Sequence, residues 1–185
     1  SFSDFVTFGL SPAALAWYAS PQIGGSAWAV ATSGMAASAS TWMLGAICAV
    51  YALCAAVRLA RFNVTTADHP TLFQGLPTTL AGSIVALVFL TCYEVDVHPP
   101  ELMRWLPILL LFCAALMVSN LPLPKLRVPA TWFGRIFFAV NAVAIYILIP
   151  LGIAFSYALT VLLGYLLVGF ATGLRDQSAA PEVGP

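Results

Sequence analysis

The sequence predicts an all-α fold, a polytopic transmembrane bundle of about six helices, on three observations. The 185 residues are 61% hydrophobic and 8% charged, with mean hydropathy +0.95, against roughly half apolar and a quarter charged in soluble domains. The apolar residues gather into six runs, each near the ~20 residues a spanning helix needs. Between the runs lie segments punctuated by proline, glycine and polar residues, which mark connections rather than a soluble domain. No internal repeat is apparent.

The first run, 2–20, carries Asp4 at its head. An uncompensated carboxylate in hydrocarbon costs several kcal/mol, so Asp4 is a functional candidate. Thr7 and Ser11 follow at i+3 and i+7 and extend a polar stripe on the same face. The plainer role for both hydroxyls is bonding to backbone carbonyls inside the bundle. Ser1 enters this helical pattern with no cap or leader, so the expectation is a chain that lacks upstream residues. The stretch 20–40, rich in Gly, Ala and Ser, reads as a loop or short interfacial helix.

The second run, 41–60, closes on Arg58-Leu59-Ala60-Arg61-Phe62-Asn63. Its two arginines are three apart and share a helical face. Residues 62–77 form a polar connector holding Pro70, Gly75 and Pro77, where Gly75 and Pro77 shape the backbone as the chain re-enters the bundle. Runs three and four, 78–96 and 102–119, flank a loop with Glu94, Asp96, Glu101 and Arg104. A connector at 120–131 carries Pro122, Pro124, Pro129, Lys125 and Arg127. Runs five and six, 132–150 and 152–173, complete a bundle over 1–175, and 176–185 is a polar C-terminal tail.

If the runs alternate in direction, one side holds Arg58, Arg61, Lys125, Arg127, Arg135 and Arg175, six of the seven basic residues. The positive-inside rule makes that side cytoplasmic. Asp4, Arg58 and Arg61 then fall at one depth, and a shared cytoplasm-facing cavity follows. Arginine forks hold phosphate or carboxylate bidentately. An aspartate binds a hard divalent cation or takes a proton from an attacking hydroxyl. A lipid pyrophosphate suits both.

Zero net charge and the absence of a basic tail argue against a nucleic-acid partner. Cys48, Cys54, Cys92 and Cys113 lack metal-site or redox spacing and read as small bilayer-facing or helix-packing residues. His69 and His98 each precede a proline in a connector and read as solvated. Trp17, Trp28, Trp42, Trp105 and Trp132 lie near run ends, as interfacial aromatics do.

Four blocks resemble a known family, the CDP-alcohol phosphatidyltransferases, and within it the CDP-diacylglycerol–serine O-phosphatidyltransferases, or phosphatidylserine synthases. They are Asp4-Phe5-Val6-Thr7-Phe8-Gly9-Leu10-Ser11-Pro12-Ala13, Arg58-Leu59-Ala60-Arg61-Phe62-Asn63, Phe73-Gln74-Gly75-Leu76-Pro77 and Leu116-Met117-Val118-Ser119-Asn120-Leu121-Pro122. They occur in the family's order over about two thirds of the chain. The family signature reads Asp-x-x-Asp-Gly-x-x-Ala-Arg, eight residues, then Gly-x-x-x-Asp-x-x-x-Asp, and Ser1-Phe2-Ser3-Asp4 resembles its last four positions. The first three aspartates, the glycines and the Ala-Arg are absent, and with them most of the family's metal site.

The resemblance implies transfer of the phosphatidyl group from CDP-diacylglycerol to L-serine, giving phosphatidylserine and CMP, with Mg2+ or Mn2+ as cofactor. Asp4 would be the catalytic base and a metal ligand, Arg58 and Arg61 would hold phosphate or the serine carboxylate, and Asn63 would orient them. Gly75 and Pro77 would shape the substrate site. The lipid bilayer is the implied environment, specifically a bacterial or archaeal cytoplasmic membrane with the site facing the cytoplasm, and a homodimer is an implied assembly. The alternatives are a family member using another acceptor alcohol, a noncatalytic membrane scaffold, and a transporter.

Overall fold

In a computed structural model the described residues are 2–19, 37–65, 72–94, 99–119, 122–124 and 132–179. They form six helices: α1 (residues 2–19), α2 (Ala37–Thr65), α3 (Thr78–Glu94), α4 (Pro99–Val118), α5 (Trp132–Leu148) and α6 (Phe155–Ala179). Two three-residue strands, β1 (Leu72–Gln74) and β2 (Pro122–Pro124), pair antiparallel.

The helices agree with the all-α expectation, while of the six expected spans one is long and apolar enough to cross a membrane among the described residues. Helix α2 begins four residues earlier than the apolar run, and α6 continues to Ala179, into the segment expected to be a polar tail. The ribbon between the two connectors has no counterpart in the expected all-helical fold. Two of the three β2 residues are prolines, which contribute no ladder donor. The register places Phe73 opposite Leu123, the β2 residue that has an N–H. His69, His98, Trp28, Lys125 and Arg127, for which the sequence raises expectations, lie outside the described residues, as does most of the 20–40 stretch.

Among the described residues one helix, Ser40–Val64, is long and apolar enough to cross a membrane by length and composition. Thr78–Cys92, Trp105–Val118, Arg135–Leu148 and Phe155–Phe170 are shorter apolar stretches, below the ~20 residues of an untilted full span. The core is built from stripes of helical period: Leu44, Cys48, Tyr51 and Ala55 on α2, Leu106, Leu110, Cys113 and Met117 on α4. Their opposite faces are apolar too, with Val50, Leu53 and Val57 exposed on α2 and Ile108, Leu111 and Phe112 on α4. A helix apolar on all sides belongs in hydrocarbon or in a large core. Trp42, Trp105 and Trp132 are exposed near helix ends, while Cys48 and Cys113 are buried and Cys54 and Cys92 half-buried.

Small residues bring the helices close, as in membrane bundles generally. A Cβ on Gly9 would stand 3.1 Å from the Ala55 Cβ, and one on Gly45 would stand 2.6 Å from the Trp17 ring. Helix α1 therefore runs antiparallel to α2. On its other side a Cβ on Gly82 of α3 would lie 2.8 Å from the Phe8 Cα, so α1 is wedged between α2 and α3. The segment wedged there, Phe5–Leu10, is π-helical. Its wider turn ends at Ser11, whose N–H and hydroxyl both donate to the Val6 carbonyl.

Helices α2 and α4 pack side by side and end together. Helices α3 and α6 meet at the opposite end, where the Glu94 carboxylate accepts the N–H groups of Ala154 and Ser156. Two ends of the bundle are thus defined. The starts of α1 and α3, the finishes of α2 and α4 and the ribbon share one. Glu94 and the α5–α6 turn share the other.

Candidate functional site

Asp4 sits at the mouth of the π-helical turn, half-buried. Across from it the last turns of α2 present Arg58, which is 9% exposed although charged. Asp4 and Arg58 interact electrostatically. A buried charge persists when an opposite charge and hydrogen bonds compensate its lost hydration. The Arg58 guanidinium carbon also lies 5.3 Å from the centroid of the Phe62 ring, one helical turn on, a cation–π geometry. The acid and the arginine that the sequence places at one depth therefore lie at the same end of the bundle and act on each other electrostatically.

Arg61, on the next turn, donates from an η nitrogen to the Val118 carbonyl at 3.2 Å. The last carbonyls of a helix carry partial negative charge, so a cation there is favourable by ~0.3–1 kcal/mol. The end of α4 is secured three further ways: the Leu76 N–H and the Ser119 hydroxyl both donate to the Leu116 carbonyl, at 3.0 and 2.7 Å, and the Ser119 N–H donates to the Ala115 carbonyl. Gly75 is pressed into this arrangement with φ +74°. A Cβ there would meet the Ser119 and Met117 carbonyl oxygens at 2.6 and 2.7 Å, so the position requires glycine on both conformational and steric grounds.

Pro77 opens α3, its carbonyl accepting the Ala81 N–H. Gly75 and Pro77 thus set where α3 starts, close to Arg61. Asn63 lies on the exposed side of α2. Thr7 is exposed on α1, while the Ser11 hydroxyl bonds a backbone carbonyl, the plainer of the two roles considered for it.

Two residues the sequence did not single out belong to this neighbourhood. Tyr51, fully buried, donates to the Phe8 carbonyl at 2.9 Å and holds the π turn. The signal was a tyrosine within the apolar run 41–60, since a buried phenol needs a polar partner. Thr78 is fully buried at the first position of α3, and its Oγ1 has no hydrogen-bond partner.

Among the described residues no group of three His, Cys, Asp or Glu side chains gathers where a metal could bind. A hard divalent cation takes about six oxygen ligands, and Asp4 is one carboxylate. The described residues do not hold such an ion by themselves.

A carboxylate and a buried arginine thus lie at one end of an apolar helical bundle in which, among the described residues, one helix is long enough to cross a membrane. No protein-family model matches the chain. It is similar to the CDP-diacylglycerol–serine O-phosphatidyltransferase of Bacillus subtilis (strain 168), with 30% identity over 92 residues. That stretch is 49% of this chain and 42% of the relative, so the match spans less than half of the relative's length.

Proposed function

We propose that the chain is the part of a membrane phosphatidyltransferase that carries the acceptor-activating carboxylate. The protein would transfer the phosphatidyl group from CDP-diacylglycerol to L-serine in phospholipid biosynthesis. The observation that carries the proposal is the interaction of Asp4 with the buried Arg58, beside Arg61 and Gly75 at one end of the bundle. The likeness to the Bacillus subtilis enzyme supports the reaction class.

In this reading the Asp4 carboxylate takes the proton of the serine hydroxyl as that oxygen attacks the phosphorus bonded to diacylglycerol. The phosphorus–oxygen bond to CMP breaks, and CMP leaves with the bonding electrons. The Arg58 fork holds anionic oxygens of the reacting groups, and Phe62 fixes the plane of the guanidinium. Arg61 secures the end of α4 and Asn63 completes the rim. Positioning of this kind converts a bimolecular encounter into a local one, which is its main catalytic value. Mg2+ or Mn2+ would neutralise the pyrophosphate when bound, with Asp4 as one ligand and the others supplied from outside the described residues. The site faces the cytoplasm of a bacterial or archaeal membrane, where serine and the nucleotide product are soluble.

The test is CMP release by the full-length protein supplied with CDP-diacylglycerol, L-serine and Mg2+ or Mn2+. Asp4→Asn lowers turnover by roughly 10²–10⁴-fold, the range for loss of a general base. Near-normal CMP release by that variant removes Asp4 from the mechanism. Equal rates with ethanolamine or glycerol phosphate in place of serine replace the acceptor but leave phosphatidyl transfer standing.

A further inference from the structure

Thr78 carries a buried hydroxyl that the fold leaves unpartnered, at the start of a helix that runs beside Asp4. Its exposure is 0%, and Oγ1 makes no hydrogen bond. Leaving such a group unsatisfied costs ~1–3 kcal/mol, so a satisfied partner is to be sought in something that binds. Several facts locate it. Helix α1 is antiparallel to α2 through the Gly9–Ala55 and Gly45–Trp17 contacts. Helix α4 is parallel to α2, because Arg61 reaches the last turn of α4. Helix α3 is antiparallel to α4, because Leu76 bonds Leu116. Helices α1 and α3 therefore run the same way, with Phe8 against Gly82. One turn toward both N-termini lie Asp4 and Thr78, at the level of Arg58.

The first intrahelical bond of α3 is Ala81 N–H to the Pro77 carbonyl. The N–H groups of Thr78, Thr79 and Leu80 precede it and form the positive end of the helix dipole. A helix N-terminus with a hydroxyl at its first position takes a small oxyanion. The proton acceptor beside it, Asp4, needs a hydroxyl. A compact amino acid carrying both groups a few ångströms apart satisfies the two sites at once.

We infer that Thr78 and the first turn of α3 bind the carboxylate of the acceptor, while Asp4 faces the acceptor's hydroxyl. The inference rests on the phosphatidyl-transfer reading and deepens it: the site selects a hydroxy amino acid over an alcohol that lacks the carboxylate.

The experiment compares Thr78→Val, which keeps the shape, with Thr78→Ser, which keeps the hydroxyl, in the full-length protein. Thr78→Val raises the KM for L-serine by about 10–100-fold, the factor for one hydrogen bond to a charged group, while the KM for CDP-diacylglycerol stays at the wild-type value. Thr78→Ser stays within a few fold of wild type for both. Without substrate, Thr78→Val melts at a higher temperature than wild type, because a methyl replaces an unpartnered hydroxyl, and added L-serine stabilises wild type and Thr78→Ser only. A lower melting temperature for Thr78→Val gives the hydroxyl a structural role and overturns the inference. A KM effect confined to CDP-diacylglycerol moves the hydroxyl to the phosphate side and overturns it too. If wild type releases CMP and Thr78→Val has an unchanged KM for serine, the Thr78 assignment fails and phosphatidyl transfer stands. If wild type releases no CMP yet is stabilised by L-serine through Thr78, the transfer reading fails and the carboxylate site stands.

Discussion

Tyr51 donates its hydroxyl to the Phe8 carbonyl across 2.9 Å, tying the middle of α2 to the π-helical turn of α1. Asp4 immediately precedes that turn. A π turn shifts the register of the residues before it relative to those after, and such turns occur where a functional side chain must be aimed. Tyr51 holds the shift from one side, and Gly82 admits Phe8 from the other.

Tyr51→Phe removes one interhelical hydrogen bond and leaves the Phe8 carbonyl without it. Bonds of this kind in membrane bundles average ~0.6 kcal/mol and reach ~1.7, and the buried setting places this one toward the upper value. The variant loses about that much stability in thermal or denaturant unfolding in detergent. Its turnover falls as well, because the turn before Asp4 relaxes. Unchanged stability would show that the π turn stands without Tyr51.

The two arginines separate in their response to lysine. Arg61 donates to the Val118 carbonyl at the end of α4, a bond that an ammonium group can also make. Arg58 lies over the Phe62 ring while facing Asp4, a task for a planar, weakly hydrated fork. Arg58→Lys therefore lowers CMP release by about tenfold or more, and Arg61→Lys by only a few fold, with both proteins inserted normally. Full activity in both leaves the pair as a positively charged anchor. The reverse order of effect moves the substrate site to Arg61.

Much of this arrangement was legible in the sequence. Apolar residues at helical spacing outline α2 and α4, and alternation of direction alone brings Asp4 and Arg58 to one end. The π turn was not legible, because Phe5–Leu10 carries no local mark of it and the partner that holds it is 43 residues away. The ribbon was hidden by Pro122 and Pro124, which argue against a strand unless the partner's register is known. Helix α6 outruns its apolar run because a helix continues by its own hydrogen bonds once started, whether or not one face is apolar. Thr78 gave no signal, since an unpartnered hydroxyl is a property of packing.

At the other end of the bundle the Glu94 carboxyl is held below the usual glutamate range, first by the Ser156 N–H and then by the Ala154 N–H, against a partial desolvation that raises it. A depressed folded value means that the ionised form binds these donors better than water does. The stability it adds is complete above the unfolded pKa of about 4.3 and is lost as pH falls through the lower folded value. The melting temperature is accordingly flat with respect to this group from neutral pH to about pH 5 and falls below that. Glu94→Gln loses that part of the acid dependence. Parallel pH profiles for wild type and Glu94→Gln would show that the contact does not bias stability.

The last prediction concerns which way the bundle faces. Asn63 lies at the end that holds Asp4, Arg58 and Arg61, and Ile153 lies in the turn beside Glu94 at the opposite end. Both are exposed, Ile153 at 51%. Six of the seven basic residues fall on the Asn63 side by alternation of the runs, and the positive-inside rule predicts that this side faces the cytoplasm. Asn63→Cys and Ile153→Cys, each in a background without Cys48, Cys54, Cys92 and Cys113, should then react differently with an impermeant thiol reagent in intact cells. Ile153→Cys labels directly, and Asn63→Cys labels only after the membrane is permeabilised. Labelling of Asn63→Cys in intact cells would turn the Arg58 end away from cytosolic serine and CMP. Phosphatidyl transfer at Asp4 would then lose its supply of acceptor.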